Sequence, residues 1–318
     1  MCIRDSRGAI PVGMGPLAHY VSALVKLVFL HGRSQEDKDP LVLRQRWVAA
    51  LEQGVEKAGL DLPIDERDII FPYYGDALRD ITSEEPKSLA TVRIPLREHE
   101  DFACSVLQEC LDDIGITREV IAAETTPTDT FPNRFSTQLS HEWVHRGLSL
   151  LDRYVPRASA RSIEATAADV TEYLHNVEVQ GYIENGVAQA FEHCAGEPTV
   201  VVGHSMGSII AYRALSEGGV VDCPVKELIT IGSPLGMRVI REAVAPIEHP
   251  PNVGSWLNAY DERDIIALNP LNDTYFPVEP KIKNYGGVEN DSDNHHKVRG
   301  YLSDRVVATS IVKALRDE

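Results

Sequence analysis

The chain has 318 residues, 43% hydrophobic and 25% charged, an ordinary globular composition with enough apolar residues for a sizeable core. Its 48 acidic residues outnumber 31 Lys plus Arg, and the formal net charge of −17 opposes binding to nucleic-acid backbones or anionic membrane surfaces. Five cysteines (Cys2, Cys104, Cys110, Cys194 and Cys223) are odd in number and show no C-x-x-C spacing, which argues against a disulfide framework or zinc knuckle and fits reduced thiols in a cytoplasmic protein.

Residues 1–24 match no element and are expected to be a poorly ordered N-terminal segment. Arg4 and Arg7 precede a mildly apolar stretch there, but His19, Tyr20 and Ser22 interrupt it and no cleavage site follows, so it does not read as a signal peptide. No run anywhere reaches the roughly 18 apolar residues of a membrane span.

Ordered structure is expected from residue 25 to 318 as a single domain. "KLVFLHG" (26–32) is a short apolar run ending in Gly32 and predicts a buried strand. A helix follows, with Asp39 as cap, Pro40 in its first position, and Trp47, Val48, Leu51, Val55 and Ala58 on one face. "RDIIFPYYG" (67–75) predicts a second strand. Residues of about 76–176 carry weak signals: helical patterns at 96–115 and 141–155 flank loop chemistry at 125–140. This stretch is expected to be an insertion, a helical lid over the core. Val179, Tyr182, Ile183, Val187 and Phe191 then form a helical stripe. Strands are predicted within 197–205, 225–236, the first half of 254–268, and 281–288. A closing helix at 303–315 is expected to be capped by Ser303. The alternation predicts an α/β fold with a mostly parallel sheet and helices on both faces.

The chemistry concentrates at "VVVGHSMGSIIAYRAL" (200–215). G-x-S-x-G between a strand and a helix is the pattern of a nucleophile elbow. Gly203 and Gly207 are expected where any side chain would strike neighbouring backbone, and Ser205 is lifted above the sheet edge. The N–H groups and positive dipole end of the following helix point at the reacting centre. A serine hydroxyl needs a base to become a nucleophile. In this type of site the chain order is Ser, then an acid, then His. Asp261, Glu262 and Asp264 follow one predicted strand, and His295 and His296 follow the next. Groups at the carboxyl ends of parallel strands open onto one face.

These residues resemble the α/β-hydrolase superfamily in its serine esterase and lipase branch, over residues 25–60 and about 178–318. The resemblance implies a three-layer α/β-hydrolase fold. It favours Asp264, which heads "DIIAL", over Asp261. It favours His296, five residues before Tyr301-Leu302, over His295. The oxyanion hole is expected from the Met206 N–H and, by likeness of "FLHGRS" to the superfamily's His-Gly turn, from the Arg33 N–H. The expected activity is hydrolysis of a carboxylic ester, small-molecule or lipid-like, without cofactor or metal. Acyl transfer at the same triad and a catalytically silent binding protein are the alternatives. Ser233 in "TIGSPLG" (230–236) is expected to be a turn residue, and His204 to support the elbow. His141, Glu142 and His145 match the H-E-x-x-H zinc pattern, but no third ligand is evident, and a lid helix with surface histidines is the expectation.

Overall fold

The computed structural model describes residues 25–32, 39–75, 96–124, 146–148, 150–151, 160–194, 196–216, 223–292 and 294–316. The expected N-terminal segment, Arg33 and the 141–145 zinc pattern lie outside these residues. Six strands are described: β1 (Lys26–Leu30), β2 (Ile69–Ile70), β3 (Thr199–His204), β4 (Val225–Ile231), β5 (Val253–Ala259) and β6 (Lys283–Tyr285). They form one sheet in the order β2-β1-β3-β4-β5-β6, with every pairing parallel. Parallel strands are covered on both faces, and β3 is buried at every residue, as its unbroken apolar run requires.

Alternation along the strands divides the core in two. Leu27, Phe29, Val200, Val202, Ile229 and Ile231 pack under α1 (Pro40–Ala58), α8 (Val298–Leu302) and α9 (Arg305–Arg316). Val28, Leu30, Val201 and Leu228 face the other layer. That layer holds α2 (Leu96–Asp113), α3 (Arg118–Glu124), α4 (Ala160–His175), α5 (Val177–Glu192), α6 (Met206–Ser216) and α7 (Arg238–Ala243). The molecule is therefore an α/β sandwich of three layers. None of the described helices is long and apolar enough to cross a membrane.

Local chemistry explains the main elements. The Asp39 carboxylate accepts from the Leu41 and Val42 amides at 2.8 and 3.3 Å, Pro40 follows, and Gly59 closes α1 in the left-handed region at φ 68°. α1 then lies so close to α8 and α9 that a Cβ on Gly54 would fall 2.5 Å from the Leu302 carbonyl oxygen.

Four expectations are altered. The strand predicted over 67–75 shrinks to Ile69–Ile70, bounded by a 3₁₀ turn at Glu66–Asp68 and by Pro72, which lacks the ladder donor. Tyr182 is exposed, because the buried stripe of α5 runs through Val179, Ile183, Val187 and Phe191. α9 is capped by Asp304, which accepts from the Val306 and Val307 amides, and not by Ser303, which ends α8. The stretch expected as a lid contributes Val106, Leu107, Leu111, Ile163 and Val170 to the same core as the sheet, so its described helices are part of that layer. No disulfide joins the four described cysteines.

Candidate active site

The strand order locates a crevice before any side chain is considered. From β1 the chain runs to β2 on one side and then returns to β3 on the other. The loops leaving β1 and β3 therefore diverge at the carboxyl ends of the strands, the position where open α/β sheets bind ligands. A cavity of about 670 Å³ lies here, lined by Gly32 after β1, by His204 at the end of β3 and by Ser205 and Met206 just beyond it.

The turn after β3 is built as its glycines demand. Ser205 holds the left-handed conformation at φ 55°, which is strained for a residue with a Cβ. A Cβ on Gly203 would lie 2.7 Å from the Gly207 carbonyl oxygen, and one on Gly207 would lie 2.1 Å from the Leu30 carbonyl oxygen. Both distances are impossible contacts, so the strand and helix can approach only with glycine at these two places. A Cβ on Gly32 would meet Ser205 Cβ at 3.2 Å, so the loop after β1 presses on the serine itself. The Ser208 hydroxyl donates to the Ser205 carbonyl at 2.6 Å and meets Ser233 Oγ at 2.7 Å. Ser233 accepts from the Leu235 amide and caps a 3₁₀ turn at Pro234–Gly236, a structural role.

Three residues far apart in the chain come together at this turn. His296 Nε2 lies 2.9 Å from Ser205 Oγ, and His296 Nδ1 lies 2.7 Å from Asp264 Oδ2. An ionised carboxylate can only accept, so Nδ1 carries the hydrogen and Nε2 presents its lone pair to the serine hydroxyl. Asp264 is almost wholly buried and also accepts from the Tyr301 hydroxyl at 2.6 Å and the Ile266 amide at 3.1 Å. Those donors fix the rotation of the carboxylate.

Asp261 and His295 stand elsewhere. Asp261 accepts from the Arg263 guanidinium at 2.9 and 2.7 Å and from the Asn290 amide at 2.7 Å. Burial pushes its carboxyl up, but the Arg263 guanidinium and the Arg263 and Asn290 amides outweigh this and hold it below the usual carboxylate range. His295, itself at φ 56°, bonds through Nδ1 to the Asn290 carbonyl at 2.7 Å. This second acid–histidine set therefore braces the 290–297 loop. The Asn290 side chain ties that loop's far end by donating to the Lys297 carbonyl at 2.9 Å.

His204 also serves the loop. Its Nε2 lies 2.8 Å from the His296 carbonyl, and burial, with the neighbouring His296 adding to it, lowers its pKa to about 3. The ring is therefore neutral at ordinary pH and anchors the loop by donating from Nε2 to that carbonyl. His31 is fully buried, stacked on Tyr74 with centroids 3.9 Å apart, and the Tyr74 hydroxyl donates to its carbonyl. Neither these two contacts to Tyr74 nor the Asn290 anchor leaves a signal in the sequence. Tyr301 alone left a signal, as the partner of His296 in the spacing argument.

Met206 lines the cavity and opens α6, so its N–H belongs to the helix's first turn, whose amides lack intrahelical acceptors. No group of three or more His, Cys, Asp or Glu suited to a metal ion occurs among the described residues. No protein-family model matches the chain, and no curated protein matches it at a significant score.

Proposed function

We propose that this chain is a serine hydrolase of the α/β-hydrolase type, cleaving a carboxylic ester through an acyl-enzyme on Ser205. The observation that carries the reading is the hydrogen-bonded line Ser205–His296–Asp264 at 2.9 and 2.7 Å, seated on the wall of the switch-point cavity. His296 Nε2 takes the hydroxyl proton as Ser205 Oγ bonds to the ester carbonyl carbon. Asp264 holds the ring's tautomer and stabilises the imidazolium. The Met206 N–H, with Arg33 N–H as the expected second donor, holds the developing oxyanion. Collapse breaks the bond to the alcohol oxygen, which receives the proton from His296. Water, deprotonated by the same imidazole, then releases the carboxylic acid and restores the serine.

Replacement of Ser205 by Ala tests this directly. Turnover of p-nitrophenyl esters is expected to fall roughly a million-fold, because such a triad acts as a unit. Labelling by a fluorophosphonate probe is expected to vanish with it. Near-normal turnover in the variant would remove the reading.

A further inference from the structure

Among the described residues, the wall of this cavity reverses the charge balance of the chain. The whole protein carries an excess of acid, yet the described wall of this cavity includes Arg46, Lys297 and Arg299 against the single carboxylate Asp169. The helical period puts Arg46 there: Arg46, Ala49, Ala50 and Gln53 follow the i, i+3, i+4, i+7 spacing that turns one face of α1 to the cavity. Lys297 and Arg299 come from the start of α8, directly after His296. The close approach of α1 to α8 at Gly54 fixes the two sources relative to one another. All three cations are exposed to solvent, while Asp169 is buried on α4. Among the described residues neither Arg46 nor Arg299 engages its guanidinium in a hydrogen bond or ion pair.

Resting on the ester-hydrolase reading above, we infer that the substrate is an ester bearing an anionic oxygen group, a carboxylate or phosphate, held by Arg46, Arg299 and Lys297 while its carbonyl lies at Ser205. Guanidinium forks match such planar or tetrahedral oxyanions, and a cationic site within an acidic protein draws in the anionic ester where the rest of the surface repels it. The remaining wall, with Leu43, Trp47 and Ala50, suits a short apolar spacer between the two ends.

The test compares four p-nitrophenyl esters of equal chain length: the hexanoate, the hemiadipate, the ω-phosphono analogue and an ω-trimethylammonio analogue. Three solvent-exposed pairings are expected to raise kcat/KM for one or both anionic esters over the hexanoate on the order of tenfold at low salt. The better of the two anionic esters identifies the group. The cationic ester is expected to be the poorest, and 0.5 M salt, chosen as about half the molar level at which charges are screened within ~3 Å, is expected to erase the preference. In Arg46→Gln/Arg299→Gln the anionic-to-neutral ratio is expected to fall to about twofold or less, through removal of about a tenfold charge effect, and Arg46→Lys/Arg299→Lys, which keeps the charges and loses the forks, is expected to lie between that variant and wild type. Fluorophosphonate labelling of Ser205 is read alongside. A labelled protein without anionic preference overturns this inference and leaves the hydrolase reading standing. A wild-type protein that neither labels nor turns over any ester overturns both.

Discussion

Tyr301→Phe removes one oxygen and almost no volume from a fully buried side chain, so its effect isolates two hydrogen bonds. The hydroxyl donates to Asp264 Oδ2 at 2.6 Å and accepts from the Asp261 amide at 3.3 Å. Burial, with the Asp264 charge adding to it, raises the phenol's pKa well above its ordinary value, so it is a donor at every working pH. A hydrogen bond to a charged group contributes about 1.5–3 kcal/mol, and the long bond from the Asp261 amide adds little. The expected destabilisation is about 2 kcal/mol. With an m-value of about 3 kcal/mol/M, the urea midpoint should fall by roughly 0.7 M. Asp264 loses one of the two donors that fix its rotation, while the Ile266 amide and the His296 bond remain. Turnover of a p-nitrophenyl ester should fall about 10- to 100-fold through misplacement of the imidazole, chiefly in kcat. A variant with a midpoint within 0.2 M of wild type, where the error on a shift of about 0.7 M is of that order, and with unchanged kcat would refute the argument that Tyr301 positions the acid.

The two acid–histidine sets should separate in their consequences. Asp264→Asn is expected to lower kcat roughly ten-thousand-fold with modest loss of stability. Asp261→Asn should instead weaken the brace on the 290–297 loop, detected as a lower thermal midpoint with a far smaller rate effect; the opposite pattern would exchange their assigned roles. His204, with its pKa lowered to about 3 against an unfolded value near 6.5, is neutral in the fold while the unfolded chain takes up a proton between those pH values. Its stabilisation is thus complete above pH ~6.5 and lost as pH falls, by about 2 kcal/mol at pH 5, and His204→Asn should flatten urea midpoints over that window. Gly207→Ala, whose Cβ would strike the Leu30 carbonyl, should destabilise by about 3 kcal/mol or more, whereas Gly181→Ala and Gly186→Ala, with open space around them on α5, should each raise stability by ~0.5–1 kcal/mol in the same denaturation series.

Much of the frame was legible in the chain because local rules decide it. The apolar run before Gly203, the helical period after Gly207, and the Asp39–Pro40 start of α1 depend on residues within a few positions of one another. α4 escaped notice although Ile163, Ala167, Val170 and Leu174 stand at helical spacing, because small and polar residues dilute the signal. The cap of α9 was misplaced by one residue, since Ser303 and Asp304 are both good caps and only the backbone decides between them.

By itself, the sequence determined which groups could do chemistry here and their order along the chain. Residue types and their order alone leave Asp261 against Asp264, and His295 against His296, open; the likeness to the α/β-hydrolase superfamily favours Asp264 and His296 but does not show which pair meets the serine. Packing decides that. Arg263 and the Asn290 amide engage Asp261, and Tyr301 turns Asp264 toward His296. The cationic wall of the cavity likewise exists only after α1 and α8 are brought together, because charges more than two hundred residues apart become neighbours only through the core that joins their helices.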